Sequence, residues 1–335
     1  MKSIPTIYRF LSYFCWSRPW KDFQLRIVSM SILVIGEALI DIVSSPGVPD
    51  RYAPGGAPAN VALGLGRLGD EVQFLTDVGD DFHGGFLLAH LRESQVDVLA
   101  TPRGGTSTAL ARLADDGSAE YEFQLRWDPD SSLLGSSAHS ALHFASIAAF
   151  LEPGSAVIDR LLDAVPEQSD PQTAGLQRAG TLISFDPNIR PSIVGSHEDV
   201  LPRFEEFARR VDILKLSDVD ADWLYPDLPE DAQVDRLLDL GPGLVAMTRG
   251  GDGAILATAS ARVTVDSARV DVTDTIGAGD TFMVSLIHDL HDSTPPVASL
   301  GAAELMALGD RASALAGITV GRSGADLPWA ADLTN

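Results

Sequence analysis

The 335-residue chain has a single cysteine, Cys15, and very little lysine: after Lys21 only Lys215 occurs. One thiol excludes a disulfide framework and any cysteine-ligated zinc site. No apolar run approaches the ~20 residues of a membrane span. No Gly-Lys-Ser or Gly-Lys-Thr occurs, so a Walker P-loop is absent and any use of ATP must rely on another architecture. Positive charge is scarce overall, with 24 Lys and Arg against 47 Asp and Glu for a net charge of −23. Such a field repels nucleic acid and anionic membranes and argues for a cytoplasmic protein. It also requires any anion site to draw local positive potential from helix N-termini and a few arginines.

Residues 1–29 differ from the rest, carrying five basic residues and one acid among many aromatics. Arg9 interrupts their apolar stretch and no clear small-residue cleavage site follows, which fits a secretory signal poorly. They read as an atypical N-terminal extension, with Met30, directly before the strand-like Ser31–Gly36, as the alternative start. From Met30 to the C-terminus, short apolar strands alternate with helical stretches. Strands are expected at 32–37, 72–78, 141–147, 181–186, 211–216 and 244–248. Helices are expected at 57–68, 82–93, 155–164, 198–209, 219–224 and 232–240. This rhythm implies a mostly parallel sheet covered on both faces. Residues 38–53 and 105–125 read as extended and outside that sheet, the second as a hairpin, so a small β lid is expected. Residues 166–179 read as a polar surface insertion.

The most informative motif is Asp274-Thr275-Ile276-Gly277-Ala278-Gly279-Asp280. Residues 268–272 before it alternate like a strand, and Thr281 to Leu290 read as an amphipathic helix. A glycine turn opening a helix presents several backbone N–H groups to one point, which is an anion site, usually for phosphate. Asp280 places a carboxylate beside that anion, and accepting a proton is the role that fits it. Gly64-Leu65-Gly66-Arg67-Leu68-Gly69 matches the dinucleotide fingerprint by letter, but it falls late in a helix instead of opening one. Close helix–sheet packing explains it better than a Rossmann dehydrogenase. Gly55-Gly56-Ala57-Pro58-Ala59-Asn60 joins a loop to a helix, with Pro58 in the first turn and an amide, Asn60, that needs a partner. Glu37 and Asp41, Asp186 to Arg190, Lys215 to Asp220, and Thr248 to Gly253 all follow strands, where α/β sheets bind ligands. His139 and His143 share a strand face without a third ligand and read as packing. A serine hydrolase lacks its nucleophile elbow.

In order and spacing these motifs resemble the ribokinase-like (PfkB) sugar kinases, most closely bacterial fructokinases, from about Ser31 to Ala325. The resemblance implies a three-layer α/β/α sandwich with a β lid. Asp280 would be the general base, with Gly277, Ala278 and Gly279 as the anion hole for the transferring phosphoryl of ATP. Asp41, Gly56, Asn60, Arg126 and Arg190 would hold the sugar. Ser217, Asp220, Thr248, Gly250, Gly253 and Ser313 match nucleotide-side positions, where Ser313 replaces a common Asn. Mg²⁺ would bridge the phosphates near Asp220, and K⁺ would sit on the loop of Asp274 and the Ile276 carbonyl. Fructose is the expected acceptor. The alternatives are 2-keto-3-deoxygluconate, which Arg112 and Arg126 in the lid keep open, ribose, a nucleoside, or a catalytically silent regulatory member. Pairing into a homodimer through the lid is left open.

Overall fold

The computed structural model describes residues 30–113, 119–135, 138–165, 180–293 and 296–334. The extension 1–29, the insertion 166–179 and the tip of the lid hairpin lie outside the described residues. In chain order the strands are β1 (Ser31–Ile35), β2 (Leu39–Ser44), β3 (Arg51–Gly55), β4 (Val72–Leu75), β5 (Val96–Leu99), β6 (Ser107–Leu113), β7 (Ala119–Gln124), β8 (His139–Ala145), β9 (Leu182–Asp186), β10 (Ile213–Ser217), β11 (Leu244–Thr248), β12 (Ala254–Ala257) and β13 (Arg262–Val265). The helices are α1 (Ala57–Leu68), α2 (Phe82–Glu93), α3 (Ser155–Ala164), α4 (Pro191–Val194), α5 (His197–Ala208), α6 (Asp218–Leu224), α7 (Glu230–Asp239), α8 (Ala278–Leu290) and α9 (Ala302–Val320).

Nine strands form one sheet in the order β13-β12-β11-β10-β9-β8-β1-β4-β5. Every pair from β11 to β5 is parallel, and the β12–β13 hairpin closes one edge antiparallel. Both faces are covered, which is why its strands read as continuous apolar runs. Ile32 and Val34 point into a core shared with α1, α2, α8 and α9, while Leu33 and Ile35 face α3, α5, α6 and α7. On the second face Phe144 stacks on Phe185 with ring centroids 4.7 Å apart. The lid is a second sheet in the order β3-β2-β6-β7, with β2 and β6 parallel at its centre. Its strands fall within the two segments expected to leave the main sheet, β3 running on to Gly55.

Helices α1, α2 and α3 and strand β11 have the bounds expected from the sequence. Residues 268–272 do not form a strand, although they alternate. Strand β13 ends at Val265, and Ala268 and Val270 lie against Gly317 of α9. The strand expected at 72–78 stops at Leu75. Strands β5, β12 and β13 were not separated by the sequence pattern.

Of the glycines in residues 64–69, Gly64 and Gly66 are packing residues, and Gly69 is the left-handed C-cap of α1. A Cβ on Gly64 would lie 2.6 Å from Leu327 and 2.7 Å from Val284, and one on Gly66 would lie 2.2 Å from the Ser94 carbonyl oxygen. Next to Gly66, Arg67, almost fully buried, donates to Asp326 at 2.7 Å and to the Leu327 carbonyl at 2.5 Å, under the ring of Trp329. It therefore ties the C-terminal segment to α1.

At the opposite end of α8 from its glycine turn, His288 Nδ1 lies 2.9 Å and His291 Nε2 3.6 Å from Asp70. His291 Nδ1 is also 2.9 Å from Ser140 Oγ. The histidine contacts hold Asp70 below its ordinary value of 3.8 against burial, and Asp70 lifts His291 above 6.5. Asp70 stabilises the fold above its unfolded value, an effect lost as pH falls through its lowered folded value. His291 stabilises below its unfolded value, an effect lost as pH rises through its raised folded value. The clamp is therefore strongest between about pH 4 and 6.5. Urea unfolding of Asp70→Asn and wild type across pH should show the largest stability gap in that window and a shrinking gap above it. A gap independent of pH would refute the ion pair.

Candidate active site

Helix α8 opens on Gly277, whose φ of 80° is left-handed and suits glycine. The N–H groups of Gly279 and Asp280 lie in the first turn, where no intrahelical acceptor exists. The Ala278 N–H leans on the Thr275 carbonyl at 3.3 Å, so it faces the turn and not solely an incoming anion. Asp274 fixes the approach: one carboxylate oxygen accepts from Ile276 N–H at 3.1 Å and the other from Gly324 N–H at 2.9 Å. These backbone donors hold Asp274 below its ordinary value, so it stays ionised.

The side chain of Asp280 meets Asn60 across the sheet's carboxyl edge, with Nδ2 2.7 Å from Oδ2. The half-buried amide singled out in the sequence thus finds its partner in the acid, which it orients. Burial raises Asp280, opposed by the Asn60 hydrogen bond and by the charges of Lys215 and Arg190. Asn60 lies one turn into α1, whose N-cap Gly56 has φ 104° and would place a Cβ 2.7 Å from the Glu37 carbonyl oxygen. Gly55, just before, leaves room for the lid residue Asp41: a Cβ there would lie 2.2 Å from Asp41 Oδ2. The segment from Gly55 to Asn60 therefore connects Asp41 with Asp280. Burial pushes Asp41 up to about 6, and no described residue donates a hydrogen bond to its carboxylate.

Further acids line the strand ends. Glu37 accepts from the Ala148 N–H at 3.1 Å and is pushed by burial up to about 8. At neutral pH it is a carboxylic acid, which lets it sit near Asp280. Asp186 pairs with Lys215 at 2.7 Å, both buried. Arg190 is exposed at the N-cap of α4, donates to the Ile189 carbonyl at 3.0 Å, and faces Asp280 electrostatically.

Of the residues expected on the nucleotide side, Ser217 and Thr248 are register partners on β10 and β11. Ser217 caps α6 in a capping box with Asp220. Asp220 accepts from Ser217 Oγ at 2.7 Å with one oxygen and from Ile189 N–H at 2.9 Å with the other. Its carboxylate is thus a structural tie between two loops, and its influence on a metal would act through space or water. Gly250 and Gly253 shape a turn, and a Cβ on Gly253 would lie 1.9 Å from the Val265 carbonyl oxygen. Ser313 is buried in α9. Arg249 pairs with Glu230 at 3.4 Å and does not stand free.

Arg126 is engaged elsewhere than expected. Its guanidinium lies 2.9 Å from Asp77 Oδ1, and Asp77 Oδ2 takes the Asp128 N–H. Arg112 pairs with Glu122 at 3.2 Å on the lid. Asp77 was not singled out by the sequence, and Glu37, Asp186 and Lys215 were noted there by place alone, without their partners. Position at a strand end was the available signal for the acids, and rarity was the signal for Lys215.

Cofactor fit follows from the donors present. Among the described residues no three His, Cys, Asp or Glu converge on a metal position. A Mg²⁺ ion carried on nucleotide phosphates and water would need no such cluster. The ionised Asp274 and the Ile276 carbonyl supply hard oxygen donors, which fit a monovalent cation.

The model of the PfkB family of carbohydrate kinases matches residues 30–332. The chain belongs to this family. It is 36% identical over 273 residues to a fructokinase of Rhizobium leguminosarum bv. trifolii, covering 77% of this chain and 79% of that protein. A Xylella fastidiosa fructokinase solved with bound ATP superposes with a TM-score of 0.77 at 26% identity, covering 91% of this chain and 97% of that one. A double mutant of the Vibrio cholerae fructokinase, solved with fructose, ADP and potassium ion, gives 0.73 at 25%, covering 89% and 94%. As a PfkB carbohydrate kinase, the protein is a sugar phosphotransferase with a three-layer fold and a β lid.

Proposed function

We propose that the protein is an ATP-dependent fructokinase that makes fructose 6-phosphate. The observation carrying this reading is the Asn60–Asp280 contact at the mouth of the Gly277–Gly279 turn, with the unpartnered Asp41 carboxylate one short segment away. Asp280 takes the proton of the acceptor hydroxyl as its oxygen forms the bond to the γ-phosphorus and the bond to the ADP oxygen breaks. Positioning and charge stabilisation dominate such a transfer. First-turn N–H groups of α8 and Arg190 would receive the phosphoryl charge, and Asn60 and Asp41 would orient the sugar. Bound Mg²⁺ would neutralise phosphate charge, and K⁺ on the Asp274 loop would steady the turn.

The relatives' names support fructose. The ion pairs of Arg112 with Glu122 and of Arg126 with Asp77 offset the charge of both lid guanidiniums, which favours a neutral sugar over an acidic one. A coupled ADP-release assay over fructose, ribose, 2-keto-3-deoxygluconate and nucleosides, with and without K⁺, tests the reading. Fructose should give the highest kcat/KM, with K⁺ raising it. A higher value for 2-keto-3-deoxygluconate would overturn the sugar assignment.

A further inference from the structure

Beneath the first turn of α8 the sheet carries a buried cation. Lys215 on β10 has a side chain 6% exposed, with Nζ 2.7 Å from Oδ2 of Asp186, whose side chain is 3% exposed. Ser184 and His143 are buried on the neighbouring strands, joined Nδ1 to Oγ at 2.9 Å. These polar groups interrupt a sheet face that is otherwise apolar. A Cβ built on Gly279 would lie 2.8 Å from Lys215 Nζ. The missing side chain at Gly279 is therefore what lets the ammonium reach the glycine turn.

The pair is a poor device for stability alone. A buried ion pair is often matched or bettered by apolar residues of similar volume, and Asp186 Oδ1 is buried with no hydrogen-bond partner. Its charge does suit the site above. The acids around it are Asp280 on α8, Asp186 at the end of β9, Asp220 on α6 and Glu37 after β1; the other basic groups are Arg190 at α4 and His143 on β8. Burial and Lys215 together keep His143 neutral, holding it down to about 3. Carboxylates crowded into a buried site lose their charge unless a cation opposes desolvation.

We propose that Lys215, clamped by Asp186, is a positioning residue for phosphoryl transfer, its ammonium keeping Asp280 ionised and the first turn of α8 positively polarised where the phosphoryl arrives. This rests on the phosphoryl-transfer reading above. Lys215 itself neither gives nor takes the proton.

The test compares kcat against pH for wild type, Lys215→Met and Lys215→Met/Asp186→Leu, the last removing both buried charges together. The acid limb should move to higher pH by about one unit or more, so that turnover on that limb drops about tenfold and recovers at alkaline pH. A merely structural role would lower kcat evenly at every pH or leave it unchanged, and either result overturns the proposal. Asp280→Asn separates the two ideas. If that variant keeps near-normal turnover, the base assignment itself fails; if it is inactive while the acid limb of Lys215→Met stays put, only the Lys215 role fails. Wild-type protein provides a reading that needs no folding of the charge variants. With ¹⁵N-lysine, the buried ammonium resonance should show an inflection at the pH of the kcat acid limb, lost in Asp280→Asn. An ammonium blind to that titration overturns the proposal.

Discussion

Asp280→Asn should lower kcat by about 10²–10⁴-fold, the usual contribution of a positioned general base, while the dissociation constant for ADP changes little. The substitution preserves shape, and an Asn carbonyl oxygen can still accept the Asn60 Nδ2 hydrogen bond that now orients the carboxylate. What it removes is the capacity to accept the acceptor hydroxyl's proton. Steady-state kinetics with fructose and calorimetric titration with ADP check the two halves separately. Turnover within a few-fold of wild type would refute the base role, and lost ADP binding would show that the turn had been disturbed instead.

Asp186→Ala should cost stability on a scale of about 3–5 kcal/mol, because it leaves the Lys215 ammonium buried without its carboxylate. In wild type the Asp186 contact raises Lys215 against burial. Without it, burial acts unopposed by that partner and the folded-state pKa falls below the unfolded one. The unfolded chain then binds more protons than the folded one, so the variant's stability should rise with pH. Urea midpoints measured from neutral to alkaline pH report this directly. Adding Lys215→Met to Asp186→Ala should restore most of the loss, leaving a cavity cost. A loss that neither shrinks with pH nor responds to Lys215→Met would mean that Asp186 stabilises by packing and not by charge.

The main architecture was legible because its causes are local. Strands buried on both faces must be continuously apolar, and helices lying on them must be amphipathic, so their alternation gave α1, α2, α3 and β11 their observed limits. Residues 268–272 misled for the opposite reason. Alternation gives only a side-chain pattern: Val270 and Val272 are exposed, Ala268 and Val270 lie against Gly317 of α9, and the segment pairs with no described strand. The short hairpin β12–β13 and the edge strand β5 carry too few residues for a period to stand out. Motif letters were informative only with their position. Gly64 to Gly69 spell a nucleotide fingerprint, yet Gly64 and Gly66 answer to packing neighbours, Gly69 to the left-handed end of α1, and Arg67 anchors the C-terminal segment.

At the site, the sequence located the participants but not their partners. Asp280 beside a glycine turn and Asn60 in an apolar helix were singled out by chemistry at odds with surroundings, and Asp41 by its place after a strand. That Asn60 and Asp280, 220 residues apart, meet at 2.7 Å was decided by the tertiary structure. So were the pairing of Arg126 with Asp77 and the seating of Lys215 against Gly279. The sequence alone determined the fold class, the glycine turn that opens α8 and the scarcity of positive charge, since these follow from composition and short-range pattern. Tertiary structure decided which arginines remain free, which acids stay charged and where the lone downstream lysine sits. Those properties depend on burial and on neighbours brought together from distant strands, and burial is a property that no local stretch of residues possesses.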